Sequence, residues 1–235
     1  GFKNNKALVI LNDRDFHIDK TGKEISDNPS SVATNTSNKL TTNTNNETAS
    51  TSTVDVQELT SFKDANGEYG FKDKSGKIVI SPQFDDVELF SSEGLRKVTQ
   101  NDKYGFIDET GKVVVVPKYS DAFNFSDGLA AVKQNDKWGY IDKTGKEIIK
   151  LQYDGAGDFQ EGLAPVNKGG IVEGKWGYID KTGKEIIALQ YHDGKNFSEG
   201  LAAVQENGKM GGGKWIRGKY SYIDKTGKEI IKPQY

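Results

Sequence analysis

Leu129-Ala-Ala-Val-Lys-Gln-Asn-Asp-Lys-Trp-Gly-Tyr-Ile-Asp-Lys-Thr-Gly-Lys-Glu-Ile-Ile-Lys-Leu-Gln-Tyr153 is the stretch that decides the fold. Its first four residues form a short apolar strand, and Gln134-Asn-Asp136 is polar turn material. Lys137-Trp-Gly-Tyr-Ile-Asp142 reads as a second strand. Lys143-Thr-Gly145 closes a tight turn, because glycine takes the positive φ that a type I turn followed by a G1 bulge requires. Lys146 to Tyr153 is the third strand, so two hairpins sharing a strand predict a three-stranded meander of about 25 residues. Alternation places Trp138 and Tyr140 on one face and Gly139 with Ile141 on the other. A glycine inside a strand predicts close approach by another backbone or ring.

The unit recurs. Tyr104-Gly-Phe-Ile-Asp-Glu-Thr-Gly-Lys and Trp176-Gly-Tyr-Ile-Asp-Lys-Thr-Gly-Lys repeat the central pattern, with looser copies at Tyr69 and Tyr220 and a degenerate one at Asp15. From lead residues 69, 104, 138, 176 and 220 the steps are 35, 34, 38 and 44. A period near 34 residues means an array of one supersecondary unit that buries its faces against its neighbours. The link also repeats, as Phe125-Ser-Asp-Gly-Leu129, Phe159-Gln-Glu-Gly-Leu163 and Phe197-Ser-Glu-Gly-Leu201, with a looser Phe90-Ser-Ser-Glu-Gly-Leu95. An aromatic followed by an acid–glycine turn predicts a plug that fixes the angle between successive meanders. The expected fold is all-β: about six tandem meanders in a curved array, either open and solenoid-like or closed and propeller-like.

Residues 1–25 read as a divergent first meander, 26–57 as a flexible Ser/Thr/Asn-rich linker or loop, and 58–235 as a five-unit array. The start at Gly1-Phe-Lys, without an initiator Met or secretory pattern, suggests a processed end. The close at Pro233-Gln-Tyr235, without its connecting Phe-Ser-Glu-Gly-Leu, suggests a piece of a longer gene product.

Composition excludes several classes of function. The 235 residues carry 32 basic and 34 acidic side chains, a formal charge of −2, so no broad field attracts nucleic acid or an acidic membrane. The longest apolar runs, Ala7–Leu11 and Val113–Val116, are strand-sized, far short of the ~18 residues of a membrane span. With no cysteine there is no disulfide, thiol catalysis or thiolate metal site.

Lys-Trp-Gly-Tyr-Ile-Asp-Lys-Thr-Gly-Lys-Glu-Ile-Ile, a Pro-Gln-Tyr-like end and Phe-Ser-Glu-Gly-Leu-Ala-Ala-Val together resemble the WG-containing repeat family of bacterial proteins. The copies at Trp138 and Trp176 match closely; those at Tyr69, Tyr104 and Tyr220 substitute tyrosine for tryptophan. The resemblance covers residues 60 to 235 well and 6 to 25 weakly. It implies a secreted, surface or envelope-associated interaction module rather than an enzyme, and it brings no catalytic residues with it.

Two sets of binding residues are candidates. The hairpin tips lengthened before the second strand depart from the repeat and carry apolar or cationic groups: Ile171, Val172, Met210, Trp215 and Arg217. Such tips are where recognition by a protein partner diversifies on a regular scaffold. The alternative is a carbohydrate or cell-wall ligand stacked on the aromatic ladder of Tyr69, Tyr104, Trp138, Trp176 and Tyr220, whose bland reading is inter-repeat core. The ladder of Asp19, Asp73, Asp108, Asp142, Asp180 and Asp224 reads as turn structure, because Ca²⁺ needs several oxygens converging in one loop. His17 and His192 lie in different units, there is no Gly-x-Ser-x-Gly elbow and no phosphate loop, so no catalytic residue, cofactor or metal is expected. The expected location is the bacterial envelope or extracellular space, with the cytoplasm still open.

Overall fold

The computed structural model describes residues 7–11, 14–18, 24–25, 59–170, 174–206, 209–211, 214–216 and 218–232. The linker assigned to 26–57 and the turn residue Asp19 lie outside the described residues. Every described element is a β-strand. Ala7–Leu11, Arg14–Ile18 and Glu24–Ile25 pair in order as one antiparallel sheet. Thr60–Lys63, Tyr69–Lys72 and Ile78–Phe84 form a second. Four four-stranded sheets follow, closing at Tyr119, Tyr153, Tyr191 and Ile231.

The sheet built from the opening stretch contains Leu129–Gln134, Lys137–Asp142 and Glu147–Tyr153, with a fourth strand, Asp121–Ala122, at its edge. This strand comes from the link that the sequence reading treats as a connection. Ala122 pairs with Val132, and the flanking Ser120 and Phe123 amides donate to the Lys133 and Ala131 carbonyls. Two residues are too few for a period-2 pattern, which is why the sequence yields three strands where the sheet has four.

Both faces of each inner sheet are covered. Ile141 packs backward on Leu95, Phe106, Val115 and Phe125. Trp138 and Tyr140 pack forward on Phe159, Ala164, Val166 and Ile179. The link aromatics are the plugs the pattern implies. Phe125 meets Phe106 edge-on with centroids 4.9 Å apart, Phe159 meets Tyr140 at 4.8 Å, and Phe197 meets Tyr178 at 5.0 Å. Where the ring is tyrosine, its hydroxyl donates to the next link's backbone: Tyr140 to the Gly157 carbonyl at 2.9 Å, Tyr178 to that of Lys195 at 2.8 Å. Burial pushes both phenols up in pKa.

The Trp-Gly pair has a backbone cause. Trp138 pairs with Tyr153 and Tyr140 with Ile149, so Gly139 alone faces the arch of Lys150, Leu151 and Gln152. A Cβ there would lie 2.5 Å from the Ile149 carbonyl oxygen and 2.7 Å from the Leu151 nitrogen. Gly70, Gly105 and Gly177 sit under the same arch.

The Asp-x-Thr-Gly turns are built by their own aspartates. Asp142 Oδ1 accepts from the Thr144 amide (2.9 Å), the Thr144 hydroxyl (2.6 Å) and the Lys146 amide (3.1 Å), with Gly145 at φ +82°. The arrangement recurs at Asp73, Asp108, Asp180 and Asp224. The donated hydroxyl of Ser75, Thr144, Thr182 or Thr226 is the main cause holding Asp73, Asp142, Asp180 and Asp224 below the usual carboxylate range. Asp108 is lowered too, against the opposing effect of its burial. A carboxyl with a depressed folded pKa adds stability above its unfolded pKa and loses it as pH falls through the folded one. The melting temperature is therefore expected to hold from about pH 8 to 5 and to drop progressively below about pH 4. The Asp142→Asn/Asp180→Asn double variant should show a shallower acid limb; equal limbs in thermal scans would remove these turns from the acid response.

A second clasp joins units at the link turns. Glu93 accepts the Gly128 amide of the next unit at 2.9 Å and meets Lys143 Nζ at 3.1 Å. Glu161 does the same with Gly200 (3.0 Å) and Lys225 (3.0 Å). Asp127 accepts the Gly162 amide at 2.7 Å. The acids of the link turns thus tie each unit to the next.

Candidate functional site

The aromatic ladder splits into two rows with different fates. Phe71, Phe106, Tyr140 and Tyr178 are fully buried, and Tyr222 nearly so, as inter-unit core. In the other row Tyr69, Tyr104, Trp176 and Tyr220 are half-buried, whereas Trp138 is buried. Each ring meets a different neighbour. Lys63 Nζ stands 4.5 Å from the Tyr69 centroid and Lys97 Nζ 5.3 Å from that of Tyr104. Phe123 lies tilted over Trp138, centroids 5.0 Å apart. The Tyr220 hydroxyl donates to Asp193 at 2.6 Å.

Trp176 breaks the series because its link is stripped. Where the third-unit link reads Asp121-Ala-Phe-Asn124, the fourth reads Gly155-Ala-Gly-Asp158. Gly157 thus stands at the position from which Phe123 covers Trp138, with Pro165 and Asn196 crowding it (2.7 and 2.6 Å from a Cβ placed there), and Gly155 lies against the Trp176 ring, a Cβ on it falling 3.0 Å from Cη2. Beside the Trp176 ring lies a cleft of about 710 Å³ walled by Phe123, Pro165, Trp176, Asp158, Asp193 and Lys195. Gln160, Asn196 and Ser198 add amide and hydroxyl groups. Its volume falls in the usual range of small-ligand sites.

Its two acids are in different states. Asp193 accepts from Lys195 Nζ (2.7 Å), the Tyr220 hydroxyl and the Gly194 amide (2.9 Å). Burial raises its pKa, but Lys195 and Tyr220 outweigh it and the carboxyl stays below its usual range. Asp158 is raised by burial, with Lys97 pulling weakly the other way. Its Oδ1 is sealed from solvent and has no hydrogen-bond partner. Asn124 and Asn196 hold the equivalent positions in neighbouring links. Another cavity, of about 590 Å³, is walled by Gln190, Tyr191, Glu206, Ser221, Ile223 and Glu229.

Of the tip residues, Met210 and Trp215 pair across a separate two-stranded ladder, Lys209–Gly211 with Lys214–Ile216. Ile171, Val172 and Arg217 lie outside the described residues. Sequence reasoning singled out Trp176 but missed Asp158 and Gly157. The signal was present in the departure of one link from its repeats. Among the described residues no group of three or more His, Asp or Glu is placed to hold a metal, and no helix is long and apolar enough to cross a membrane.

A comparison with curated proteins gives no match. Among solved structures, Hsv2 of Kluyveromyces lactis aligns at 11% identity over 74% of this chain and 59% of that one, with a TM-score of 0.43. The chain thus spans under two thirds of that protein's length. The tricorn protease aligns at 13% identity over 74% of this chain and 19% of its own, with a TM-score of 0.29. The model described as WG containing repeat matches residues 69–104, 104–138, 138–170, 176–209 and 220–235, each match starting on the aromatic strand of one sheet and most running into the next sheet. With five consecutive copies accounting for most of its length, the chain belongs to the WG containing repeat family.

Proposed function

We propose that this chain is a non-catalytic binding domain of the bacterial envelope or extracellular space that takes a carbohydrate in the cleft beside Trp176. The observation that carries this reading is Trp176 in the wall of the cleft beside a polar rim, where its counterpart Trp138 is buried under Phe123. A flat ring face accepts the apolar face of a pyranose, and amide, hydroxyl and carboxylate groups around it accept and donate to sugar hydroxyls. Stacking is therefore assigned to a single site and not to the whole ladder, since Trp138 is occupied by Phe123. The second reading is a protein partner at the hairpin tips, favoured by the independent ladder that holds Met210 opposite Trp215.

Titration of the protein with soluble tetramers of glucose, mannose, N-acetylglucosamine and glucosamine, followed by tryptophan fluorescence, tests the reading. Saturable binding that falls at least tenfold in Trp176→Ala, with the melting transition retained, is the expected result. Absence of binding to every tetramer by the folded protein would move the assignment to the hairpin tips.

A further inference from the structure

Among the described residues lining the cleft, Asp158 carries the one buried side-chain oxygen without a hydrogen-bond partner. Its neighbours at the repeat-equivalent positions are neutral, Asn124 and Asn196, so a negative charge has been added at this link alone. Oδ1 finds no donor. The nearby cation is already engaged: Lys97 Nζ lies 2.9 Å from Glu88 and donates to the Ala122 carbonyl at 2.9 Å. The other charges on the cleft wall cancel, since Lys195 is paired to Asp193 at 2.7 Å. The cleft is left with one acid that no cation bonds directly, lining the same wall as Trp176 and Phe123.

A carboxylate of this kind favours a cation, and so do exposed aromatic faces, through their negative quadrupole. A neutral sugar would use the rings and leave the charge of Asp158 unanswered. An ammonium group set on a sugar ring answers both. Resting on the carbohydrate reading above, we infer that the ligand is an amino sugar with a free amine, a glucosamine-type unit, held by stacking on Trp176 and by the attraction of its ammonium to the Asp158 side of the cleft. Burial that disfavours the isolated carboxylate is what a bound cation offsets, so the site's electrostatic strain in the free protein becomes selectivity in the bound one.

The test compares tetramers of glucosamine, N-acetylglucosamine and glucose, titrated at pH 6 in 150 mM salt against the full chain. The wild type is expected to bind the glucosamine tetramer at least tenfold more tightly than either neutral one. Asp158→Asn, isosteric and with asparagine native at both equivalent positions, should lose most of that preference. Asp102→Asn removes the same charge from an exposed hairpin outside the cleft and should keep it. Equal affinity for all three tetramers, or a preference that survives Asp158→Asn, overturns the inference while leaving the carbohydrate reading in place. Failure to bind any tetramer overturns both.

Discussion

Gly139→Ala is expected to lower stability by about 3 kcal/mol or more, from a single methyl group, in urea denaturation followed by fluorescence. The added Cβ would fall 2.5 Å from the Ile149 carbonyl oxygen and 2.7–2.8 Å from Leu151 N and Lys150 C. All three are backbone atoms, so no rotamer change clears them. Relief requires the arch of the third strand to lift, which would pull Ile149 and Tyr153 away from a core holding them at 3% and 4% exposure. Gly128→Ala is the internal comparison. Gly128 has φ +85° but nothing within 4 Å of its would-be Cβ, so it bears only the left-handed backbone cost of about 1–2 kcal/mol. Similar small losses in both variants would show that the arch yields easily, and the steric account of the Trp-Gly pair would be abandoned.

Much of the architecture was legible because its determinants are local and repeated. Gly145 after Asp142 specifies its turn by φ alone, and the alternation from Trp138 to Ile141 sorts two faces whatever lies opposite them. The edge strand Asp121–Ala122 was not legible, because it exists through its pairing with Lys133 and Val132 and has no pattern of its own. The same holds for Glu93 and Glu161. Their sequence marks a turn, and the partners they hold, the Gly128 and Gly200 amides, come from the next unit. The cleft was hidden for a related reason. A repeat is recognised by what its copies share, whereas the site arises where Gly155-Ala-Gly-Asp158 departs from Asp121-Ala-Phe-Asn124.

Trp138 and Trp176 occupy one repeat position, yet truncating them should have opposite consequences. Trp138→Ala is expected to cost about 3–5 kcal/mol, the range for an aromatic removed from a packed core. Its ring lies 8% exposed between Phe123 and the third strand, in the cluster with Tyr140, Tyr153 and Phe159, and its loss would also strip Phe123 of its partner. Trp176→Ala should cost roughly 1 kcal/mol, because one face already opens on the cleft and the glycines beside it leave less to collapse. Chemical denaturation of the two variants under identical conditions provides the measurement. Equal, large losses would mean that Trp176 is core like its counterpart, and the cleft would lose its platform. A large loss for Trp138 alone would show that one repeat position is core beneath Phe123 and cleft wall beside Gly157. Diversification would then have acted on the links, which the scaffold tolerates because its spacing is held elsewhere, by the plugs at Phe125, Phe159 and Phe197 and by the acid clasps between turns.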